Sequence, residues 1–240
     1  MPTLPRETLA RIFFFLDDLT LAESIPEIFW AIAPHRFRFL RLGQKYGEPA
    51  RAQMRLVNKY PNCGNFVEQL TILCDLESSS TVRRFLENFP GHNKLNHLTL
   101  SRSMPSPPFL TDIPYSSLLQ NVLNKCYDLA RLSFIDMVPC SLLIHGTAQR
   151  LTRLDIIVDP IWYRDDEPEI PLTPNLEILS IPPNAVRLLT GPPPDTLRII
   201  TFHAFGSINF FLVEDVQDFL EGCSSVTSLA FVDHSQFEFF

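Results

Sequence analysis

The sequence predicts an α/β fold: an irregular repeat solenoid built on a parallel sheet, preceded by a small helical module. Two observations carry that expectation. Seven segments repeat the pattern apolar-x-x-apolar-x-apolar, whereas the first forty residues lack the repeat and open on an amphipathic helical stretch. A third observation, prolines clustered between the repeated segments, explains why the spacing is uneven.

The hexamers are VEQLTI from Val67, LNHLTL from Leu95, LARLSF from Leu129, LTRLDI from Leu151, LEILSI from Leu176, LRIITF from Leu197 and VTSLAF from Val226. Successive starts lie 28, 34, 22, 25, 21 and 29 residues apart. Five of these fall in the roughly 20–29-residue period of leucine-rich repeats, and the longest implies an insertion. The sixth residue is always Ile, Leu or Phe. Side chains alternate faces along a strand, so the fourth and sixth residues point one way and the fifth the other. One repeat cannot bury that apolar face alone, but stacked repeats bury a continuous spine. The hexamers are therefore expected to be parallel neighbours, in chain order, within one sheet. Leu98, Leu132, Leu154 and Leu179 are expected to be buried, and Thr99, Ser133, Asp155 and Ser180 to be exposed. An ordinary α/β domain is the competing architecture, although its strands usually lack so uniform a hexamer.

Between strands the chain must return along the opposite side. TVRRFLENF from Thr81, SSLLQNVLNKC from Ser116, NAVRLLTG from Asn184 and VEDVQDFLEGC from Val213 read as helices. Ser116 and Asn184 suit N-caps, and Gly191 and Gly222 suit helix ends. Cys126 and Cys223 each precede a hexamer by three residues, so LNKCYDLARLSF and LEGCSSVTSLAF are two versions of one unit. Small buried cysteines suit that packing role better than a metal or nucleophilic one.

Composition narrows the function classes. The chain has 240 residues and is 45% hydrophobic, enough for a sizeable core, and no apolar run approaches the ~18 residues of a membrane span. Net charge is -7, divided between residues 1–60 (9 basic, 6 acidic) and residues 61–240 (11 basic, 21 acidic). An acidic repeat region argues against nucleic acid as the main partner. Five scattered cysteines form no CxxC pair and read as free thiols in a reducing, intracellular compartment, cytoplasm or nucleus. No zinc spacing, nucleophile elbow or phosphate loop occurs, so neither catalytic residues, metal nor cofactor is expected. The carboxylates Asp165, Asp166, Glu167 and Glu169 read as a solvated loop rather than a cation site.

Function is then expected on a surface. Residues flanking the inward positions line three rows across the sheet. The first runs Gln69, His97, Arg131, Arg153, Ile178, Ile199 and Ser228, and the second Thr71, Thr99, Ser133, Asp155, Ser180, Thr201 and Ala230. The third runs Leu73, Ser101, Ile135, Ile157, Pro182, His203 and Val232. Mixed polar and apolar rows suit a protein ligand, with His97, Thr99, Arg131, Ser133, Arg153, Asp155, Ser180, Thr201 and His203 as candidate contacts. A merely solvated sheet face is the alternative.

The N-terminus differs. LPRETLARIFFFL, from Leu4 to Leu16, sets Leu9, Ile12, Phe13 and Leu16 on one helix face, with Pro5 suited to the first turn. DDLTLAESIPEIFW and APHRFRFLRL follow. Together with the hexamers, this N-terminus resembles the fungal F-box proteins with leucine-rich repeats, which open on Leu-Pro-x-Glu and reach a Trp after a second helix. Leu4, Pro5, Glu7, Leu9, Ile12, Phe13, Leu16, Leu21, Ser24 and Trp30 occupy the matching positions. Where that family usually has Val-Cys-Arg, this chain has Pro26, Glu27 and Ile28. The second helix must therefore end before Pro26 or restart with Pro26 in its first turn. The resemblance implies an F-box-like module over 1–42, a connector over 43–64 and a leucine-rich solenoid over 65–240. It also implies a non-enzymatic substrate receptor of a cullin-type ubiquitin ligase, with an unidentified protein target. Leu4, Pro5, Leu9, Ile12, Phe13, Leu16 and Trp30 would contact a Skp-type linker. Alternatively, the same helix only caps the open end of the solenoid, whose terminal repeats need covering.

Overall fold

The computed structural model describes residues 5, 8, 11, 25–43, 47–74, 80–89, 94–102, 116–137, 141–158, 169–204 and 213–234. Its centre is one open parallel sheet of eight strands in chain order: β1 (Phe39–Leu42), β2 (Gln69–Leu73), β3 (His97–Ser101), β4 (Arg131–Ile135), β5 (Arg153–Ile157), β7 (Ile178–Ile181), β9 (Ile199–Ala204) and β10 (Ser228–Asp233). A separate parallel pair, β6 (Ile170–Pro171) and β8 (Leu189–Thr190), lies within the connections. All seven hexamers are strands of the one sheet. LARLSF and LTRLDI lie parallel with Leu132 opposite Leu154.

A backbone device repeats at every junction. The carbonyl two residues before each strand's first inward side chain accepts two successive N–H groups from the next strand. Arg38 accepts from Glu68 and Gln69, Glu68 from Asn96 and His97, and Asn96 from Ala130 and Arg131. Ala130, Thr152, Glu177 and Arg198 do the same onward to Ser228. Each strand thus starts at the same height, and the apolar positions stack. The first, fourth and sixth hexamer residues are buried from Val67 to Phe202.

The returns lie on the helix-bearing side of that spine. Helices α2 (Gly47–Lys59), α3 (Ser80–Glu87), α4 (Ser116–Lys125) and α5 (Ser141–Thr147) bury Met54 and Val57, Val82 and Phe85, Leu119 and Val122, and Leu143 and Ile144. Helix α6 (Val213–Glu221) only half-buries Phe219 and Leu220. The Cys126 N–H reaches the Leu123 carbonyl at 3.1 Å and the Cys223 N–H reaches that of Leu220 at 3.0 Å, so the two cysteine units are the same turn. Burial pushes the Cys126 thiol up to about 11 and that of Cys63 to about 12, which leaves both protonated and poor nucleophiles.

Three expectations need correction. NAVRLLTG is a 3₁₀ helix, Pro183–Leu188, rather than an α-helix. Its boundary residue is Pro182, so Asn184 is no N-cap, and it runs directly into β8. Gly191, with φ +86, follows that strand and not a helix. Pro183 fixes the first turn, and six residues are too few for more than a tight one.

Helix α1 (Pro26–Arg36) begins on Pro26, where the missing N–H costs nothing. Its Phe29, Ile32 and Ala33 join the same core as the sheet. Residues 39–42, grouped from sequence with the N-terminal module, are the first strand of the sheet. Phe37, Leu40 and Leu42 are buried like any hexamer's inward residues, so FRFLRL is an eighth copy of the pattern. Beyond β1, glycine is required at position 43, because its φ is +140 and a Cβ there would lie 2.5 Å from that of Leu73. At the opposite edge the spine is uncovered: Leu229 is 46% exposed and Phe231 62%.

Candidate functional site

Strand register builds the candidate face. Gln69, His97, Arg131, Arg153, Ile178, Ile199 and Ser228 are successive partners across the sheet, as are Thr71, Thr99, Ser133, Asp155, Ser180, Thr201 and Ala230. Strand β1 adds Phe39 and Arg41 to the two rows, which were missed from sequence although Phe37, Leu40 and Leu42 already carry the hexamer signal.

The second row is not the exposed ridge expected. Thr99, Ser133, Asp155 and Ser180 are all buried, Asp155 to 1% exposure, and so is His203 of the third row. Thr201 is half-buried. With strands about 4.8 Å apart, short side chains sink between rows of longer ones. His97, Arg131 and Arg153, each half-buried in the first row, lean over them. Those three remain candidate contacts, whereas Thr99, Ser133, Asp155 and Ser180 are buried within the second row and His203 within the third.

Asp155 is the hub. Its Oδ2 accepts from Arg131 Nε at 2.6 Å, Ser133 Oγ at 2.9 Å and Arg153 Nε at 3.2 Å, and its Oδ1 accepts from Arg153 Nε at 3.0 Å. Burial pushes the Asp155 carboxyl up, but the Arg131 and Arg153 guanidiniums and the Ser180 and Ser133 hydroxyls outweigh burial and hold it below the ordinary value. The buried charge is therefore paired and hydrogen-bonded.

His97 extends the network. Its Nε2 lies 3.1 Å from Ser133 Oγ and 3.0 Å from Thr99 Oγ1. The Ser133 proton goes to Asp155, so the hydroxyl oxygen accepts and the network assigns the His97 proton to Nε2. This order does not activate a nucleophile, because a catalytic serine needs the imidazole between itself and the carboxylate. Here the serine sits in the middle. At the C-terminal end of the face, His203 Nδ1 lies 2.8 Å from His234 Nε2 and the rings stack at 5.1 Å.

Both His97 and His203 are held neutral. Burial lowers the His97 pKa to about 4, helped by the Arg131 charge. Burial and then His234 lower that of His203. An unfolded chain binds these protons from about pH 6.5 downward, whereas folded His97 resists until about pH 4. The unfolding midpoint is expected to fall as pH drops through that window and to respond little to these groups above it. His97→Gln is expected to flatten part of the slope in thermal unfolding at about pH 7 and about pH 5. Equal slopes in parent and variant would contradict the assignment.

The other candidate contacts lie at the N-terminal end. Leu4, Leu9, Ile12, Phe13 and Leu16 fall outside the described residues. Pro5 is exposed, and its carbonyl accepts the Thr8 N–H at 3.0 Å. Trp30 is 40% exposed on α1, edge-on to Phe29 at 5.1 Å and to Tyr60 at 6.0 Å. The aromatic cluster fixes Trp30 at the end of the sheet away from Asp155.

Among the described residues, no group of His, Cys, Asp and Glu is placed to hold a metal ion, and no helix is long and apolar enough to cross a membrane. A pocket of ≈ 300 Å³ lies between the 3₁₀ helix and α6, lined by Arg187, Asp215, Asp218 and Phe219 among others, and shares no residue with the sheet face. No family model matches the chain, and neither a curated protein nor a solved structure matches it.

Proposed function

We propose that the chain is a non-enzymatic recognition adaptor: a leucine-rich solenoid that takes a protein ligand on its sheet face and a Skp-type linker on its N-terminal helices. The observation that carries the first half is the continuous face itself. One position per strand stays in register from Phe39 to Ser228, presenting charged, polar and half-buried aliphatic side chains over a length no small molecule requires. The second half rests on the Leu4-to-Trp30 match to the F-box opening, and it implies recruitment of a target to a cullin-type ubiquitin ligase inside the cell, in cytoplasm or nucleus.

One observation favours a second reading. Ile28, Phe29, Ile32 and Ala33 of α1 are spent on the core, so the N-terminal segment also covers the end of the sheet. A leucine-rich scaffold whose N-terminus is only a cap has no ubiquitin role. Ile12→Asp separates the two. An adaptor is expected to lose linker binding in a pull-down while its unfolding midpoint stays within a degree or two, as for a surface change. A cap is expected to lose several kcal/mol, because it would bury an unpaired carboxylate. Lost stability together with no linker binding by the parent chain would end the ligase reading.

A further inference from the structure

We propose that Arg131 and Arg153 form the seat for a side-chain carboxylate, Asp or Glu, of the protein that docks on the sheet face. This rests on the reading of that face as a recognition surface and adds what it recognises. Both guanidiniums use Nε on Asp155, at 2.6 and 3.0 Å, so the inward edge of each fork is spent and the Nη groups are left for a ligand. The arginine side chains are each 36% exposed and the Asp155 side chain only 2%. The cations face outward and their counter-ion faces in.

Charge complementarity decides the occupant. Asp155 is the one acidic residue in the three rows between Gln69 and Val232, so two guanidiniums share one carboxylate and leave a single positive charge unmet on a chain of net charge -7. His97, the neighbouring titratable group, adds none while neutral. One unmet charge matches a monoanionic carboxylate better than a dianionic phosphate. Guanidinium forks suit planar carboxylates, and a fork already fixed by Asp155 loses little freedom on binding. Half-buried Ile178 adjoins Arg153 in the first row, and half-buried Ile135 and Ile157 lie four residues further along the two arginine-bearing strands, so apolar neighbours of the acidic residue are suited there.

The test is selection of random dodecapeptides on the full chain, followed by affinity measurement. Selected peptides are expected to share one Asp or Glu among apolar residues. Replacing that residue with Gln or Asn, or the protein's arginines in the double variant Arg131→Lys, Arg153→Lys, is expected to weaken binding about tenfold. The lysines keep the charge balance around Asp155, and an unchanged unfolding midpoint is read alongside. Where the double variant unfolds early, Arg131→Lys alone gives the same reading. Acid-free peptides, or affinity indifferent to either change, overturn this inference and leave the recognition reading standing. A phosphoserine in place of the acidic residue that binds more than tenfold tighter overturns the choice of carboxylate. Failure to select any peptide that binds the face overturns both.

Discussion

Leu154→Ala is expected to cost about 2–5 kcal/mol, the largest effect of any single change considered, because transfer energy is lost and a cavity is left. Leu154 is fully buried in β5 with Leu132 on one side and Leu179 on the other. The informative control is Leu229→Ala. Leu229 holds the same fourth hexamer position and pairs with buried Ile200, but it lies on the outermost strand at 46% exposure. Its loss is expected to stay below about 1 kcal/mol. Urea unfolding of both variants compares the same chemistry at the same register, with and without a covering repeat. Equal losses would mean that the spine is not what stabilises the sheet.

Asp155→Ala comes next, at about 2–3 kcal/mol. A fully buried pair that loses one partner costs about 3–5 kcal/mol, but here the remaining guanidiniums reach solvent and are partly screened. The variant leaves Arg131 and Arg153 facing each other without their shared counter-ion and removes the acceptor for Ser133. Read as an exposed fifth hexamer residue, Asp155 would cost no more than about 0.5 kcal/mol on removal. Chemical denaturation at about pH 7 distinguishes the two. A loss that small would place the carboxylate in solvent and dissolve the hub.

Most of the sheet was legible because period-2 alternation and a fixed hexamer determine both strand and register. Leu98, Leu132, Leu154 and Leu179 are buried and in line for that reason. Strand β1 escaped because FRFLRL follows the N-terminal helices and was grouped with their module over residues 1–42. Burial of the second row escaped for a different reason. Alternation says which way Asp155 points, but whether Arg131 of one strand and Arg153 of its own fold over it depends on lateral neighbours 24 and 2 residues away. The two first-row arginines and the one second-row carboxylate stand in the aligned hexamers LARLSF and LTRLDI, but their pairing was not read there. Short returns were harder still. SLLIHGT of α5 is seven residues long and carries a glycine, and NAVRLL follows two prolines, so local propensity gave weak signals that packing against the spine overrode.

In the adaptor proposed above, two separate surfaces bind two different proteins. The most direct measurement isolates complexes of the parent chain, of Ile12→Asp and of the Arg131→Lys, Arg153→Lys double variant in parallel, and quantifies the proteins retained by each. Ile12→Asp is expected to lose the Skp-type linker and keep the protein held by the sheet face, while the double arginine variant is expected to do the reverse, each loss being about tenfold or more. Both variants losing the same protein, or the linker remaining on Ile12→Asp, would contradict an adaptor with an N-terminal linker surface and a recognition face on its sheet.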